Sequence, residues 1–187
     1  LYEGHILAAI LLGFWFGAIT AGAILGHSHH LPGPRHAAVL AAEATLLVLA
    51  ALGVEETQVR AAIEALGVEQ TAVQALLAAA ALGMQNGLTS SFRGMAIRTT
   101  HFTGTVTDLG LMIGRARRQG IEKWKAAVLS LTLVLFLAGG TAGLLIGTSL
   151  EGYALLVPAA LCGTVAAVSS LNGREFPVLA PIGRPRV

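Results

Sequence analysis

The chain has 187 residues, of which 55% are hydrophobic and only 12% charged, with a formal net charge of +2. A soluble domain of this size carries about a quarter charged residues because its surface faces water, so a soluble fold is excluded and an integral membrane protein is expected. The lone cysteine, Cys162, excludes an intrachain disulfide or a cysteine-built metal site, and there is no soluble basic domain for nucleic acid.

The charges are missing from long runs rather than thinned throughout. Ile6–Leu25, Ala72–Leu88, Ala126–Ile146 and Tyr153–Leu171 are almost free of them, and a fifth run, Ala37–Leu52, is interrupted by Glu43. A hydrocarbon core of about 30 Å takes ~20 helical residues at about 1.5 Å each. In lipid the backbone must satisfy its own hydrogen bonds, which leaves helices or closed barrels. Runs this long and rich in Leu and Ala do not alternate as barrel strands do. The expectation is an all-α helical bundle of five spans.

Between the first two runs, residues 27–36 form a turn-rich polar loop that includes His27, His29, His30 and His36. Imidazoles ligate zinc, copper or nickel, but this spacing in a Pro/Gly loop matches no closed site. No metal or other cofactor is expected. Residues 53–70 carry Glu55, Glu56, Glu64 and Glu69 against one Arg60, and Val59, Ile63 and Leu66 recur at helical spacing, which predicts a short amphipathic surface helix. The echo of Leu52–Glu55 in Leu66–Glu69 reads as a local duplication without function. Farther on, Thr103–Gly114 is apolar enough to enter a membrane but too short to cross it. It fits a re-entrant or half helix, with an interfacial surface helix as the alternative.

Lys and Arg set the orientation. If residues 53–70 lie outside, five spans put every basic residue except Arg60 inside, together with the C-terminus. Tyr2, Trp124 and Tyr153 fall near span ends, where aromatic belts form.

An internal repeat supports this plan. Gly17–Gly26 aligns without a gap on Ala138–Gly147, with Thr-Ala-Gly and the final Gly in common, at an offset of 121 residues (Thr20 to Thr141). Each copy is followed by a polar turn and another apolar run. Because the two copies run in opposite directions, the repeats are inverted, as in many secondary transporters and some channels. The expected organisation is a single transmembrane domain over 1–187. It comprises a partial first repeat (1–52), an extracytoplasmic linker (53–70), a second three-helix repeat (71–173) and a cytoplasmic tail (174–187). The second unit has a helix and half helix that the first lacks, so a further span is expected before Leu1. The missing initial Met fits that, or a cleaved signal peptide.

With Ala81-Leu82-Gly83-Met84-Gln85-Asn86-Gly87, Thr100–Gly110, Trp124 and the Gly-rich Gly139–Gly143 in view, the chain resembles the YoaK-type bacterial membrane proteins, catalogued as a domain of unknown function. The resemblance covers nearly all the chain and departs at its start, where the family's first span is absent. It implies about six spans in the full fold and a bacterial cytoplasmic (inner) membrane setting, and no substrate.

Several residues could carry chemistry. Glu43 stands mid-run, where an ionisable group costs several kcal/mol unless it meets a partner, water or the bundle interior. It reads as a proton or cation site, or as a structural carboxylate bonded to a neighbour. Gln85 and Asn86 can glue helices or line a polar path. Thr103, Thr105, Thr107 and Asp108 begin the half helix, where free N–H groups attract an anion and Asp108 can bind a cation or simply cap. Gly13, Gly17, Gly22, Gly26, Gly139 and Gly143 recur at four-residue spacings that let helices approach closely, or seat a neighbouring subunit. There is no nucleophile–base pair, phosphate loop or zinc-hydrolase motif, so no enzyme is expected.

Two functions fit. One is a small-solute or ion transporter or channel, with Glu43 and the 103–108 turn sharing a polar cavity walled by Gln85 and Asn86. The other is a non-enzymatic accessory or structural subunit of a larger membrane complex. The expected surroundings are the lipid bilayer and a homo-oligomer or larger membrane assembly.

Overall fold

The structure, a computed structural model, describes residues 4–26, 33–55, 57–67, 69–90 and 102–172, and all regular structure in them is helical. The helices are α1 (Gly4–Leu25), α2 (Pro34–Glu55), α3 (Thr57–Ala65), α4 (Gln70–Ser90), α5 (Phe102–Gln119), α6 (Lys123–Leu150) and α7 (Leu156–Asn172). A 3-10 turn, Glu151–Leu155, joins the last two. Gly26, Gly67 and Gly120 follow α1, α3 and α5 at φ of 55°, 68° and 72°, a left-handed conformation that favours glycine at a helix end. Pro34 opens α2, where its missing N–H costs nothing. The Arg35 guanidinium donates to the Leu25 carbonyl at 3.2 Å, so the start of α2 satisfies the end of α1.

α1, α4, α2 and α7 pack side by side in that order. The α1–α4 contact is a close one, with glycine where the two backbones meet. A Cβ on Gly13 would stand 2.2 Å from the Leu76 carbonyl oxygen, one on Gly17 1.9 Å from that of Ala80, and one on Gly83 2.1 Å from that of Phe14. A Cβ on Gly87 would stand 2.7 Å from the Cβ of Ala21. Small residues on both helices let backbones touch, and dispersion between them replaces side-chain interdigitation. Ala21, Leu25, Val39 and Met84 form one buried cluster where α1, α2 and α4 meet. Leu47, Ala81 and Ala159 form a second where α2, α4 and α7 meet. Among the described residues, α5 packs on α6 alone, through a Phe102–Phe136 ring contact at 5.6 Å, and α6 otherwise meets only the 3-10 turn.

The outside of this assembly is apolar. Leu11, Trp15 and Phe16 on α1, Val134, Leu135 and Leu144 on α6, and Leu161 and Val165 on α7 are all more than half exposed. Hydroxyls on these faces turn inward to their own helices, as Thr20 does to Phe16 O at 2.8 Å and Thr141 to Leu137 O at 2.9 Å.

The predicted surface helix is α3, with Arg60 and Glu64 paired at 3.0 Å across one turn. Elsewhere the structure bears out the all-helical reading and only part of the expected spans. Among the described residues, three helices are long and apolar enough to span a membrane, against five crossings expected: Gly4–Leu25, Pro34–Gly53 and the 49-residue Lys123–Leu171. A fourth arises if α3 and α4, bent by 106°, count as one. The amides of Gln70, Gln74, Gln85 and Asn86 make α4 too polar to qualify alone. The run from Lys123 does not fold into a tight hairpin, since α6 and α7 touch the intervening turn rather than each other. At about 1.5 Å per residue it is roughly two and a half times a hydrocarbon thickness of ~30 Å, and Glu151, at φ 49°, interrupts it. The expected half helix is instead the 18-residue α5, which runs on past Gly114 because no proline or cap interrupts it.

Candidate functional site

Glu43 is only 5% exposed, the most deeply buried charged residue among those described. Helical periodicity puts it there: it lies one turn from Val39 and one from Leu47, both buried on the same stripe of α2. Its neighbours follow from the Leu47–Ala81–Ala159 cluster. Pairing of Val39 with Met84 below and Leu47 with Ala81 above makes α2 and α4 antiparallel. The position of Gly163, whose Cβ would stand 3.9 Å from that of Ala44, makes α7 antiparallel to α2 as well. One turn along in the same direction from that cluster therefore come Glu43 on α2, Gln85 on α4 and Cys162 on α7. Glu43, Gln85 and Cys162 thus form a polar layer one turn from that cluster, in which Gln85 directly follows Met84 of the apolar cluster beneath.

Within the layer the Cys162 thiol is a hydrogen-bond donor to the Glu43 carboxyl. Glu43 Oε2 and Gln85 Oε1 are both buried without a hydrogen-bond partner. Such atoms are rare in folded proteins, because an unmade bond leaves the full desolvation cost. Asn86, 6% exposed, sits on the next helical position and is also engaged.

The remaining site residues lie elsewhere. Thr103, Thr105 and Asp108 are on α5, which contacts neither α2 nor α4, so the structure does not bring them to Glu43 in one cavity. Thr105 is buried, whereas Thr103 and Asp108 are exposed, and the Thr107 hydroxyl is spent on Thr103 O at 2.8 Å. Asp108 lines a polar cleft of about 270 Å³ with Arg115, Glu122 and Lys125, at the junction of α5 and α6. Gly13 and Gly17 meet the α4 backbone, but a Cβ on Gly22, Gly139 or Gly143 would meet nothing within 4 Å, and Gly26 faces Arg35 Nη1. Those three glycines lie on exposed faces, so close packing does not account for them here. His36 accepts from Gly33 N at 3.3 Å at the start of α2, while His27, His29 and His30, and the tail 174–187, lie outside the described residues. Among the described residues no three His, Cys, Asp or Glu side chains gather as a metal site.

Sequence reasoning missed Cys162 as a partner of Glu43. The available signal was its place on α7 in a run with few other side-chain donors, but which face met α2 required the packing.

Among the described residues, regular structure that is helical throughout, long bare apolar helices and a single buried carboxyl define the class. The chain belongs to the family described as "Protein of unknown function (DUF1275)", which matches residues 2–168. The likeness read from Ala81–Gly87 and Thr100–Gly110 is compatible with that family. Comparison with curated proteins and with solved structures finds no match.

Proposed function

We propose that the chain is an integral protein of the bacterial inner membrane, built on inverted repeats, that moves a small solute or ion with Glu43 as its proton- or cation-exchanging group. The bare apolar surface of α1, α6 and α7 supports the membrane setting, since hydrocarbon is the solvent in which such faces cost least. The α2–α7 crossing supports the repeats. Under the 121-residue offset (Thr20 to Thr141), Ala159, Cys162 and Gly163 take the places of Ala38, Ala41 and Ala42. Their neighbours across the crossing are Leu47, Glu43 and Ala44, so every pair centres on residues 42–43. Equivalent helices crossing antiparallel about a single midpoint are what a two-fold in-plane axis produces.

The observation that carries the transport reading is Glu43 itself. A carboxyl nine-tenths buried, with one oxygen unpartnered, sits at the midpoint of the crossing that joins the two halves. Intramembrane carboxyls at such places mark ion and proton pathways. The test uses the full chain in vesicles loaded with a pH-sensitive dye and challenged with sodium, potassium and a panel of small organic ions. Proton movement that Glu43→Gln abolishes, with folding intact, is the expected result. Equal responses from wild type, Glu43→Gln and empty vesicles would remove the transport role.

One observation favours the second reading, a non-enzymatic accessory subunit. α6 turns Gly139, Gly143 and Gly147 outward with nothing against them, as a face for another membrane helix would require. Cross-linking from α6 in native membranes to another protein, with no ion movement in vesicles, is its signature.

A further inference from the structure

We propose that Glu43, Gln85 and Cys162 form a binding site for a single proton, held on Glu43 Oε2 and donated to Gln85 Oε1. This deepens the reading of Glu43 as an exchange group by naming the proton, rather than a metal cation, as what it holds. It rests on the membrane setting but not on transport.

The argument is one of hydrogen-bond accounting. The layer contains two orphaned acceptors, Glu43 Oε2 and Gln85 Oε1, on facing helices one turn from the same three-helix contact. Two acceptors can bond to each other only through a hydrogen, and a carboxylic acid supplies one. With the proton on Oε2, that oxygen becomes a donor, the amide oxygen gains its partner, and both unmade bonds disappear together. The other carboxyl oxygen keeps the Cys162 thiol as donor, which fixes the orientation of the acid. Cys162 is thus a positioning residue, and Gln85 is the proton's second ligand.

A sodium or potassium ion fits less well. Such ions take several oxygen ligands, and the described layer offers a carboxyl and one amide oxygen beside a thiol, which is a poor partner for a hard cation. The surroundings supply no fixed charge to hold the ionised form. α4 and α7 carry no Asp, Glu, Lys, Arg or His along their lengths. On α2 itself Arg35 and His36 stand about two turns away, with Arg35 bonded to Leu25 O. Of the other elements packed around, α1 contributes only His5, bonded to Glu69, α3 the Arg60–Glu64 pair, and the 3-10 turn Glu151.

The test is infrared spectroscopy of the full chain in lipid nanodiscs near neutral pH. Wild type should show the carbonyl stretch of a protonated, hydrogen-bonded carboxyl, shifted in heavy water and missing from Glu43→Gln. Gln85→Leu should keep the band but move it to higher frequency, since the acid loses its acceptor. Cys162→Ser should leave it nearly in place and Cys162→Ala should move it. Glu43→Gln should also unfold no more easily than wild type, because its amide N–H mimics the acid's donor. A carboxylate band with no protonated band in wild type overturns the proposal. That result means the Gln85 amide group is turned to donate to an ionised Glu43. Stabilisation of wild type but not Glu43→Gln by sodium or potassium chloride overturns it in favour of a cation site. A protonated band in a protein that moves no ions retains the proton site and removes the transport role alone.

Discussion

Replacing Gly17 with alanine puts a methyl group where α4 already stands. The added carbon would lie 1.9 Å from the Ala80 carbonyl oxygen, 2.7 Å from its carbon and 2.9 Å from its Cα. Ordinary contact begins at 3.4 Å, so the helices must separate by about 1.5 Å at that point. Backbone atoms on one partner cannot rotate away, and the neighbouring approaches at Gly13, Gly83 and Gly87 would open too. Overpacking of this kind costs roughly 3 kcal/mol, while glycine to alanine within a helix returns ~1 kcal/mol. The net expectation is a loss of about 2 kcal/mol for Gly17→Ala. Gly22→Ala, on the same helix with nothing within 4 Å, should instead gain up to ~1 kcal/mol. Reversible unfolding of both variants in bicelles, followed by helical signal against added denaturing detergent, measures the difference. If Gly17→Ala matched Gly22→Ala in stability, the backbone contact between α1 and α4 would be wrong.

Gly83→Ala should resemble Gly17→Ala, whereas Gly139→Ala and Gly143→Ala should be neutral or stabilising in the isolated chain, as the same unfolding assay will read. Glu151→Gly should stabilise by roughly 1 kcal/mol, since φ 49° with ψ −129° is a conformation that only glycine adopts without strain, and the unfolding midpoint reports it. Breaking the Arg60–Glu64 pair with Glu64→Gln should change stability by no more than ~0.5 kcal/mol, because both groups are well exposed and one turn apart. Single cysteines introduced at Gln58 and at Lys123 in a Cys162→Ala background should label from opposite sides of the membrane, and labelling from one side would refute the orientation drawn from Lys and Arg.

Some of this is local in origin and can be read from neighbouring residues alone. Apolar run length and the absence of charge depend only on neighbouring residues, so the helices over Gly4–Leu25, Pro34–Glu55 and Lys123–Leu150 follow from the sequence. The period of Val59, Ile63 and Leu66 likewise implied α3. Gly13 and Gly17 were legible as contact residues because their four-residue spacing puts them on one helix face. The spacing could not say that Gly139 and Gly143 differ from them, since a glycine's use depends on what lies opposite. Glu43 was legible as an anomaly for the same local reason: one carboxyl in an apolar run. Its partners were not. Gln85 is 42 residues away and Cys162 119 residues away in the sequence, and only the antiparallel packing of α4 and α7 on α2 puts them in one layer. The 103–108 turn was placed by packing as well. Its threonines and aspartate suggested a broken helix beside Glu43, but α5 continues through them and packs on α6. Composition and periodicity fix which faces are apolar. Which of those faces meet is a matter of shape, settled here where glycine lets two backbones touch.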